Sequence, residues 1–434
     1  MNLSARTYVA LALVLLVGVM ETWSADSLGL WRTGAALLVL GLAYEWLRTR
    51  LVPIRAARED HSPLRLGREE TITLTLEAGG YRPLPVQFVV QLPPGLDTAG
   101  TVRTCQLEPG APHRERVAVV ARELVTDADV LASWTSLAAR VRGPLGLGWW
   151  NHPIPLDATL AVVPDLLGAR GAAAGDARSG SKATLAGSGH ELHHLREYVP
   201  GDPRQSIDWK AMARRGRPIT RVQTEEQHVE VVLVLDVGRT SRTVVDTLSQ
   251  FSHYVNLAAR FAEMAANQGD HVGLVVAADR PQQAVAPHSG AQVVHRIRQA
   301  LCASRPQPVE TDLVAAASTA HRIARQRSLM VLLTDFYGQS TTGSLGACLR
   351  LWRARHLPMV VGLLGDDVQG LHSADAASLD EVYEQTAAEE YVQTLTHNAD
   401  AAHRLGATTL LSRPRDLQAR VFDQYRLLKL QHRL

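Results

Sequence analysis

The sequence predicts a multidomain chain with an N-terminal transmembrane helical hairpin, a small β-sandwich and a C-terminal doubly wound, Rossmann-like α/β domain. Three observations carry this prediction. Two apolar runs of membrane-spanning length stand near the start, a period-two apolar pattern follows, and apolar runs then alternate with long helical patterns. At 434 residues, with 46% hydrophobic and 20% charged residues, the chain is too long for one average domain and has the composition of folded protein.

Charge and cysteine usage exclude several protein classes. A formal net charge of +2 lacks the strong basicity of a dedicated nucleic-acid binder, so we expect no nucleic-acid partner. Cys105, Cys302 and Cys348 are odd in number and scattered, and they form neither a disulfide framework nor a CxxC metal site. We therefore expect the folded regions to face a reducing cytosol.

Residues 1–50 are predicted to form two transmembrane helices. The apolar runs 7–23 and 28–47 are each just long enough to span a bilayer. Arginines precede the first run and follow the second, whereas the short connection is acidic, so the positive-inside rule places both ends in the cytosol. The prediction is a two-pass protein of the inner membrane with its soluble domains in the cytoplasm. The alternative is a signal peptide with residues 8–20 as its apolar core.

Residues 51–164 are predicted to form the β-sandwich, because strand-like runs there are separated by turn formers such as Pro93-Pro94-Gly95. Residues 165–189 are rich in Gly, Ala and Ser and are expected to be a flexible linker. The strand-like runs of the sandwich region are 71–76, 86–92, 117–121 and 160–163.

Residues 229–434 are predicted to form a parallel sheet with helices on both faces. Ligands bind at the carboxyl ends of strands in such sheets, which draws attention to Asp236 and Asp335 at the ends of two apolar runs. The predicted strands are 231–236, 272–278, 329–333, 359–364 and 408–411, and the predicted helices are 244–267, 291–303, 312–326 and 389–404.

The intervening segment, 190–228, carries the most specific pattern in the chain. It resembles the signature L-R-x-Y-x-x-G-D-x-x-R-x-I-x-W of the bacterial "domain of unknown function 58" family, with one departure: Gln205 stands where the family has Arg, and Arg204 lies one residue earlier. The signature residues are Leu195, Arg196, Tyr198, Pro200, Gly201, Asp202, Arg204, Ile207, Asp208, Trp209, Lys210 and Arg214.

The resemblance extends over nearly the whole chain and implies more than the fold. It implies two membrane helices, a sandwich that ends in the Gly-Pro-Leu-Gly-Leu stretch 143–147, and a von Willebrand factor A-like domain after the signature. It also implies a membrane-anchored partner of MoxR-type AAA+ ATPases. Taken without the family, the signature is either a structural collar or a docking surface, and its basic run 214–217 is balanced by Glu225 and Glu226.

A-like domains use a metal ion-dependent adhesion site, and this chain retains part of it. The corresponding residues here are Asp236, Thr240, Thr311 and Asp335, while Gly238 lacks the middle hydroxyl. Such hard oxygen ligands suit Mg²⁺, and Gly238→Ser is expected to strengthen its binding. The alternative is an empty, vestigial site in which the two aspartates cap helices or pair with Arg239.

A second pattern raises a different chemistry. His190-Glu191-Leu192-His193-His194 fits H-E-x-x-H, which on a helix places two imidazoles around zinc with the Glu as general base. Glycines before it and Pro200-Gly201 after it leave room for few helical turns, so we expect the match to be accidental.

The expected function is that of a non-enzymatic adaptor or scaffold, working with a MoxR-type ATPase in the assembly or maturation of other proteins at the lipid bilayer. No P-loop, Rossmann glycine motif or nucleophile elbow occurs in the sequence. The alternatives are a zinc hydrolase that uses His190, Glu191 and His194, and a structural membrane scaffold without an ATPase.

Overall fold

A computed structural model describes the chain in two compact units, Met1–Val163 and Pro164–Leu434. For residues 23, 184–187, 191–194, 222–226 and 372–373 it describes the backbone alone. Outside the described structure lie residues 1, 24–28, 81, 99, 126–133, 166–183, 188–190, 203, 227, 338–342, 374–377 and 432–434.

The first unit begins with a short strand, β1 (Asn2–Leu3), and two helices, α1 (Ala5–Trp23) and α2 (Leu30–Leu51). The helices pack antiparallel through small residues: a β-carbon at Gly34 would lie 3.2 Å from Val14, and one at Gly18 would lie 3.6 Å from Trp31. Within the described residues, the span Ala5–Thr22 is the one that is long and apolar enough to cross a membrane. The two-pass arrangement therefore stays a prediction.

The remainder of the first unit is all-β. Ten strands form one largely antiparallel network in the order β1-β10-β9-β11-β2-β4-β8-β6, with β5 paired to β9 and to β7. Alternate residues of the long strands are buried, which is the period-two pattern that predicted them. The strands are β2 (Ile54–Arg58), β3 (Leu64–Arg65), β4 (Glu69–Ala78), β5 (Leu84–Val89), β6 (Leu96–Asp97), β7 (Arg103–Leu107), β8 (His113–Ala121), β9 (Ser136–Arg142), β10 (Gly148–Asn151), β11 (Ile154–Asp157) and β12 (Val162–Val163), of which β3 and β12 form a separate parallel pair.

The second unit opens with a small antiparallel sheet around the signature segment. Its order is β13-β15-β14, formed by β13 (Thr184–Gly187), β14 (Glu191–Glu197) and β15 (Ile219–Glu226). The short helix α3 (Trp209–Arg215) precedes β15. The strand β13 lies inside the predicted flexible linker, so that prediction is wrong for residues 184–187. Residues 166–183 and 188–190 lie outside the described residues.

The larger sheet of the second unit has six strands in the order β20-β19-β16-β21-β22-β23. All neighbouring pairs are parallel except the edge pair of β19 and β20. The sheet is the predicted doubly wound one, and β20 is an addition to it. The strands are β16 (Glu230–Asp236), β17 (Val244–Val245), β18 (Leu248–Ser249), β19 (His271–Ala277), β20 (Pro281–His288), β21 (Leu329–Leu333), β22 (Leu357–Leu363) and β23 (Thr408–Ser412), of which β17 and β18 form a separate hairpin.

Two of the predicted helices of this unit start at other residues in the structure, and the helices at 209–215, 344–353, 366–373 and 414–430 were not predicted. The helix predicted from residue 244 starts at Gln250, because β17 and β18 pair across a turn in which Asp246 has φ of 57°, and Ser249 caps the helix. The helix predicted from 389 starts ten residues earlier, where Ser378 caps it. The helices are α4 (Gln250–Asn267), α5 (Ala291–Ala303), α6 (Leu313–Ile323), α7 (Ser344–Arg353), α8 (Asp366–Ser373), α9 (Leu379–Arg404) and α10 (Pro414–Leu430).

Candidate functional site

The candidate site lies at the carboxyl edge of the six-stranded sheet, between β16 and β21. These strands are parallel neighbours, with Leu235 opposite Leu333, so Asp236 and the residues after Leu333 emerge at the same edge. The chain continues from β16 to β19 and β20 on one side, and β21 to β23 lie on the other. This reversal of strand order is the position at which open α/β sheets form their binding crevice.

The Asp236 carboxylate is buried and held by donors from three segments of the chain. Its Oδ1 accepts hydrogen bonds from the Gly238 backbone N–H at 2.9 Å and from the Thr311 hydroxyl. Its Oδ2 accepts one from the Thr334 hydroxyl at 2.6 Å. Asp236 is only 2% exposed, and a buried carboxylate is stable only when its oxygens are satisfied in this way. We call Asp236, Gly238, Thr311, Thr334 and Asp335 the rim cluster.

Gly238 is required by the close approach of Thr311. A β-carbon at this position would overlap the Thr311 Oγ1 and lie 2.8 Å from the carbonyl oxygen of Val309. The Thr311 hydroxyl thus occupies the space that a side chain at 238 would need. The expected gain in Mg²⁺ binding from Gly238→Ser is not supported, because the added serine would first have to displace Thr311.

Asp335 is the second carboxylate of the rim cluster. It is 7% exposed, and its Oδ1 accepts a hydrogen bond from the Tyr337 N–H at 3.0 Å. Burial raises the pKa of Asp335 above its usual value, and the neighbouring Asp236 charge adds to this rise. The hydrogen bond from Tyr337 acts in the opposite direction. The two carboxylates are therefore electrostatically coupled at the strand ends.

Two tyrosines support this edge from different sides. The buried Tyr254 donates from its hydroxyl to the Thr334 carbonyl oxygen at 2.8 Å, and burial raises its pKa. Tyr391 stacks at 4.8 Å on Tyr337, which is 51% exposed. Burial, and then the charge of Asp335, raise the pKa of Tyr391 to about 12. Tyr337 is thus an exposed aromatic ring beside the buried carboxylates.

The structure brings together three of the four predicted metal ligands. Thr240 lies half-buried in the 3-10 turn Arg239–Arg242, and it is not among the hydrogen-bond donors to Asp236. Arg239 is exposed and bonds through its backbone N–H to the Val309 carbonyl at 2.7 Å. The sequence analysis missed Thr334, although its position next to Asp335 at a strand end was a usable signal.

The rim cluster does not fit an intact adhesion-type metal site. Its ligating atoms are all oxygen, which Mg²⁺ prefers, but the middle hydroxyl is absent and both oxygens of Asp236 already accept hydrogen bonds from the chain. In the described part of the chain, no cluster of three or more His, Cys, Asp or Glu residues offers another metal site. The local hydrogen bonds stabilise the Asp236 carboxylate without a cation.

The H-E-x-x-H pattern falls on a strand. Glu191 opens β14, which pairs antiparallel with β15, and a bulge lies between Leu192 and His194. The zinc pattern requires a helix, where residues four apart share one face within a single turn. Residues 191–194 therefore lack the backbone conformation that the pattern needs, while His190 lies outside the described residues.

The acidic residues of the signature have structural roles. Asp202 accepts hydrogen bonds from the Val199 N–H at 3.1 Å and from Arg196 at 2.6 Å, and these lower its pKa. Asp208 caps α3 by accepting from the N–H groups of Lys210 and Ala211, and the bond from Ala211 contributes most to the lowering of its pKa. These contacts favour the structural-collar interpretation for the acidic half of the signature.

The other signature residues have mixed environments. Ile207 forms an isolated bridge with Thr220, and the Tyr198 N–H bonds to the Pro218 carbonyl at 3.0 Å, so the segment is fastened to β15 and the residues before it. Gly201 has φ of 115°, which favours glycine. The exposed members are Leu195, Arg196, Pro200, Gly201, Arg204, Trp209, Lys210 and Arg214.

Comparison with known proteins finds a family match over part of the chain. The sequence profile of a family described as "Protein of unknown function DUF58" matches residues 194–390. Uncharacterized protein Rv1480 of Mycobacterium tuberculosis is 26% identical over 156 residues, which are 36% of this chain and 49% of that protein. Uncharacterized protein Mb1516 of Mycobacterium bovis matches with the same values. The match thus spans about half the length of these curated relatives.

Solved structures give weaker similarities. BatB from Bacteroides thetaiotaomicron aligns with a TM-score of 0.31 and 14% identity, over 46% of this chain and 99% of that one. An uncharacterized membrane spanning protein from Vibrio fischeri aligns with a TM-score of 0.20 and 16% identity, again over 46% and 99%. These similarities are too weak to define the fold, which the strand order of this chain establishes.

Proposed function

We propose that this chain is a non-enzymatic adaptor or scaffold, anchored in the inner membrane, whose α/β domain docks a MoxR-type AAA+ ATPase at the cytosolic surface. The DUF58 profile over residues 194–390 supports the family context. The ATPase partner comes from the resemblance of the signature segment. Such a chain would hold the ATPase at the membrane surface, while the ATPase would supply the energy of ATP hydrolysis.

The observation that carries this proposal is the rim cluster at the sheet edge. Its carboxylates are buried, and Asp236 is bonded within the chain, so a partner would contact the exposed side chains beside them. Arg239 and Tyr337 are such side chains, and they lie three residues after the end of β16 and four residues after the end of β21. Arginine and tyrosine are enriched among the residues that dominate binding energy at protein interfaces.

The test is a pull-down of the full chain against the MoxR-type ATPase of the same organism, with and without nucleotide. We expect Arg239→Glu or Tyr337→Ala to weaken association by about tenfold or more, as for a hot-spot residue. Arg296→Glu on α5 is the matched control, because Arg296 is an exposed arginine of the same domain outside the rim cluster. Association that is absent under every condition would leave the scaffold without an ATPase as the remaining hypothesis.

A chelator distinguishes a rim cluster that is held by hydrogen bonds within the chain from one that needs a metal ion. Since Asp236 is already satisfied by Gly238, Thr311 and Thr334, docking should persist in EDTA. Docking that EDTA abolishes and Mg²⁺ restores would show that a cation completes the surface. Zinc content tests the zinc-hydrolase alternative. Stoichiometric zinc in the purified protein that is lost in His194→Ala would favour the hydrolase over the adaptor.

The membrane orientation is tested separately. The helix span Ala5–Thr22 supports membrane association, and a hairpin with α2 would return the chain to the side from which it started. Reporter fusions after Arg58 should indicate the cytosol, and intact mass should include the first helix. An exported reporter or a cleaved N terminus would contradict the two-pass arrangement.

A further inference from the structure

Among the described residues 195–217 of the signature segment, the acidic side chains are all in ion pairs, whereas several of the basic side chains are not. Glu197 pairs with Arg217 at 3.1 Å, Asp202 with Arg196 at 2.6 Å, and Asp208 with Arg221 at 3.3 Å. Among the side chains that the structure describes, four further cations of this segment have no ion-pair partner. They are Arg204, Lys210, Arg214 and Arg215.

Two of these cations, Lys210 and Arg214, share a face of α3 with an exposed tryptophan. Trp209 is 64% exposed at the start of α3. At about 100° per helical residue, Trp209, Lys210 and Arg214 lie within an arc of roughly 140°. Ala211 and Met212 lie outside this arc and are partly buried, whereas Arg215, the last residue of α3, also lies outside it but is exposed. Val199, in the turn before α3, is 53% exposed. We call the exposed side chains Val199, Arg204, Trp209, Lys210, Arg214 and Arg215 the signature surface.

The acidic residues that follow in the sequence do not balance this surface. Glu225 and Glu226 lie at the far end of β15, where they pair with Leu185 and Thr184 of β13. Six residues of strand separate Ile219, next to α3, from Glu225, a distance of about 20 Å. That distance exceeds the Debye length of about 8 Å at physiological ionic strength, so solvent screens these charges from the signature surface.

We propose that the signature surface lies against anionic lipid headgroups. The charges are complementary, since four unpaired cations face outward and anionic phospholipid offers phosphates. Tryptophan is the side chain enriched at the headgroup level, where its ring is apolar and its N–H is solvated. The proposal rests on the membrane anchoring in the proposed function, because the anchor holds the domain near a bilayer.

The tether decides whether so small a surface can bind. At about 1 kcal/mol for each basic residue near an anionic surface, four cations give about 4 kcal/mol, a dissociation constant near 1 mM. A free domain would bind too weakly to matter at cellular concentrations. A domain on the same chain as a membrane span meets the bilayer at an effective concentration in the millimolar range, so the contact is formed about half of the time or more.

The test is hydrogen–deuterium exchange on the full chain in nanodiscs, which uses the protein with its anchor in place. In discs of phosphatidylcholine with about 30% phosphatidylglycerol, amides of residues 204–217 should exchange at least about twofold more slowly than in phosphatidylcholine alone. The difference should disappear in about 0.5 M salt, where screening shortens the range of the attraction.

Variants assign the effect to the signature surface. Lys210→Glu with Arg214→Glu should remove the lipid-dependent protection, because it reverses two of the four cations. Arg296→Glu with Arg350→Glu makes the same change of charge on two other exposed helical positions of the domain and should leave the protection intact.

Other outcomes overturn the proposal. Equal exchange in both kinds of disc would do so, provided that incorporation into discs has shown the anchor to be functional. Failure to enter discs would contradict the membrane anchoring itself, and with it the tether that this inference needs. Protection that appears only when the ATPase is added, with none from anionic lipid, would assign the surface to a protein partner.

Discussion

Glu45, near the end of α2, fills the space that a β-carbon at Gly143 would need. The Glu45 carboxylate is fully buried and accepts hydrogen bonds from the N–H groups of Leu147 at 3.0 Å and Gly148 at 3.1 Å. The same loop accepts a hydrogen bond from the Ser4 hydroxyl, at the start of α1, on the Gly146 carbonyl at 2.6 Å. The Gly-Pro-Leu-Gly-Leu stretch therefore joins the start of α1 and the last turns of α2 to the β-sheet part of the first unit.

This relationship predicts a large effect of Glu45. Glu45→Ala removes the acceptor for two buried backbone N–H groups and should lower the free energy of unfolding of the first unit by about 2 to 4 kcal/mol. Leu40→Ala is the control on the same helix, because Leu40 is 64% exposed in the chain and contributes little to the unit's own packing. Thermal unfolding in detergent measures both, and equal midpoints would contradict the role given to Glu45.

A second prediction concerns Gly238. Gly238→Ala should destabilise the second unit by about 1 to 3 kcal/mol, because its β-carbon forces Thr311 and the Val309 segment to move. Gly370→Ala is the matched control, since nothing lies within 4 Å of a β-carbon at that position of α8. Chemical denaturation measures the two changes. A neutral Gly238→Ala would show that Thr311 moves away at no cost.

A third prediction concerns Mg²⁺. Because the chain itself satisfies Asp236, 1 mM Mg²⁺ should change the free energy of unfolding by less than about 0.2 kcal/mol, as for a dissociation constant above several millimolar. Thr334→Val should instead lower stability by about 1 to 2 kcal/mol, since it leaves Asp236 Oδ2 without its donor. Calorimetry with and without Mg²⁺ checks both, and tight binding that Asp236→Asn abolishes would refute this prediction.

A fourth prediction follows from a histidine pair at the amino edge of the sheet. His356 Nδ1 accepts from the Ser328 N–H at 3.3 Å, so its Nε2 carries the proton and donates to His321 Nδ1 at 2.9 Å. Burial, then the neighbouring His321 and Arg355 charges, lower the pKa of His356 to about 4. The folded state thus favours neutral His356, whereas the unfolded chain binds a proton near the ordinary value of 6.5.

The sign of the pH effect follows from these two values. Between pH 6.5 and 4 the unfolded state binds more protons, so stability falls as pH decreases, by about 2 to 3 kcal/mol from this group. His356→Asn should flatten that part of the stability curve, whatever its effect at pH 7.5. Unfolding measured across this range in both proteins is the test, and identical slopes would contradict it.

The sequence by itself determined the elements whose signal is local. The bounds of β21 (Leu329–Leu333) and α5 (Ala291–Ala303) were predicted to the residue, because an apolar run and a 3.6-residue pattern specify them without reference to the rest of the chain. The two-residue strands β17 and β18 were missed, since such short strands form only when a partner strand supplies their hydrogen bonds. The edge strand β20 was missed because Pro281 and Pro287 and its polar residues give it no strand-like apolar run.

Only the tertiary structure decided what the candidate site is. The sequence placed Asp236, Thr311 and Asp335 at the same sheet edge, but it described Gly238 as the loss of a ligand. Asp236 and Thr311 are 75 residues apart. Their hydrogen bond exists because the loop between α5 and α6 is fastened to the residues after β16 by the backbone bonds Gln307 N–H to Val237 and Arg239 N–H to Val309. Contacts between distant segments depend on how the elements pack, which no local pattern encodes. For the same reason the sequence did not predict the contact between Glu45 and Gly143.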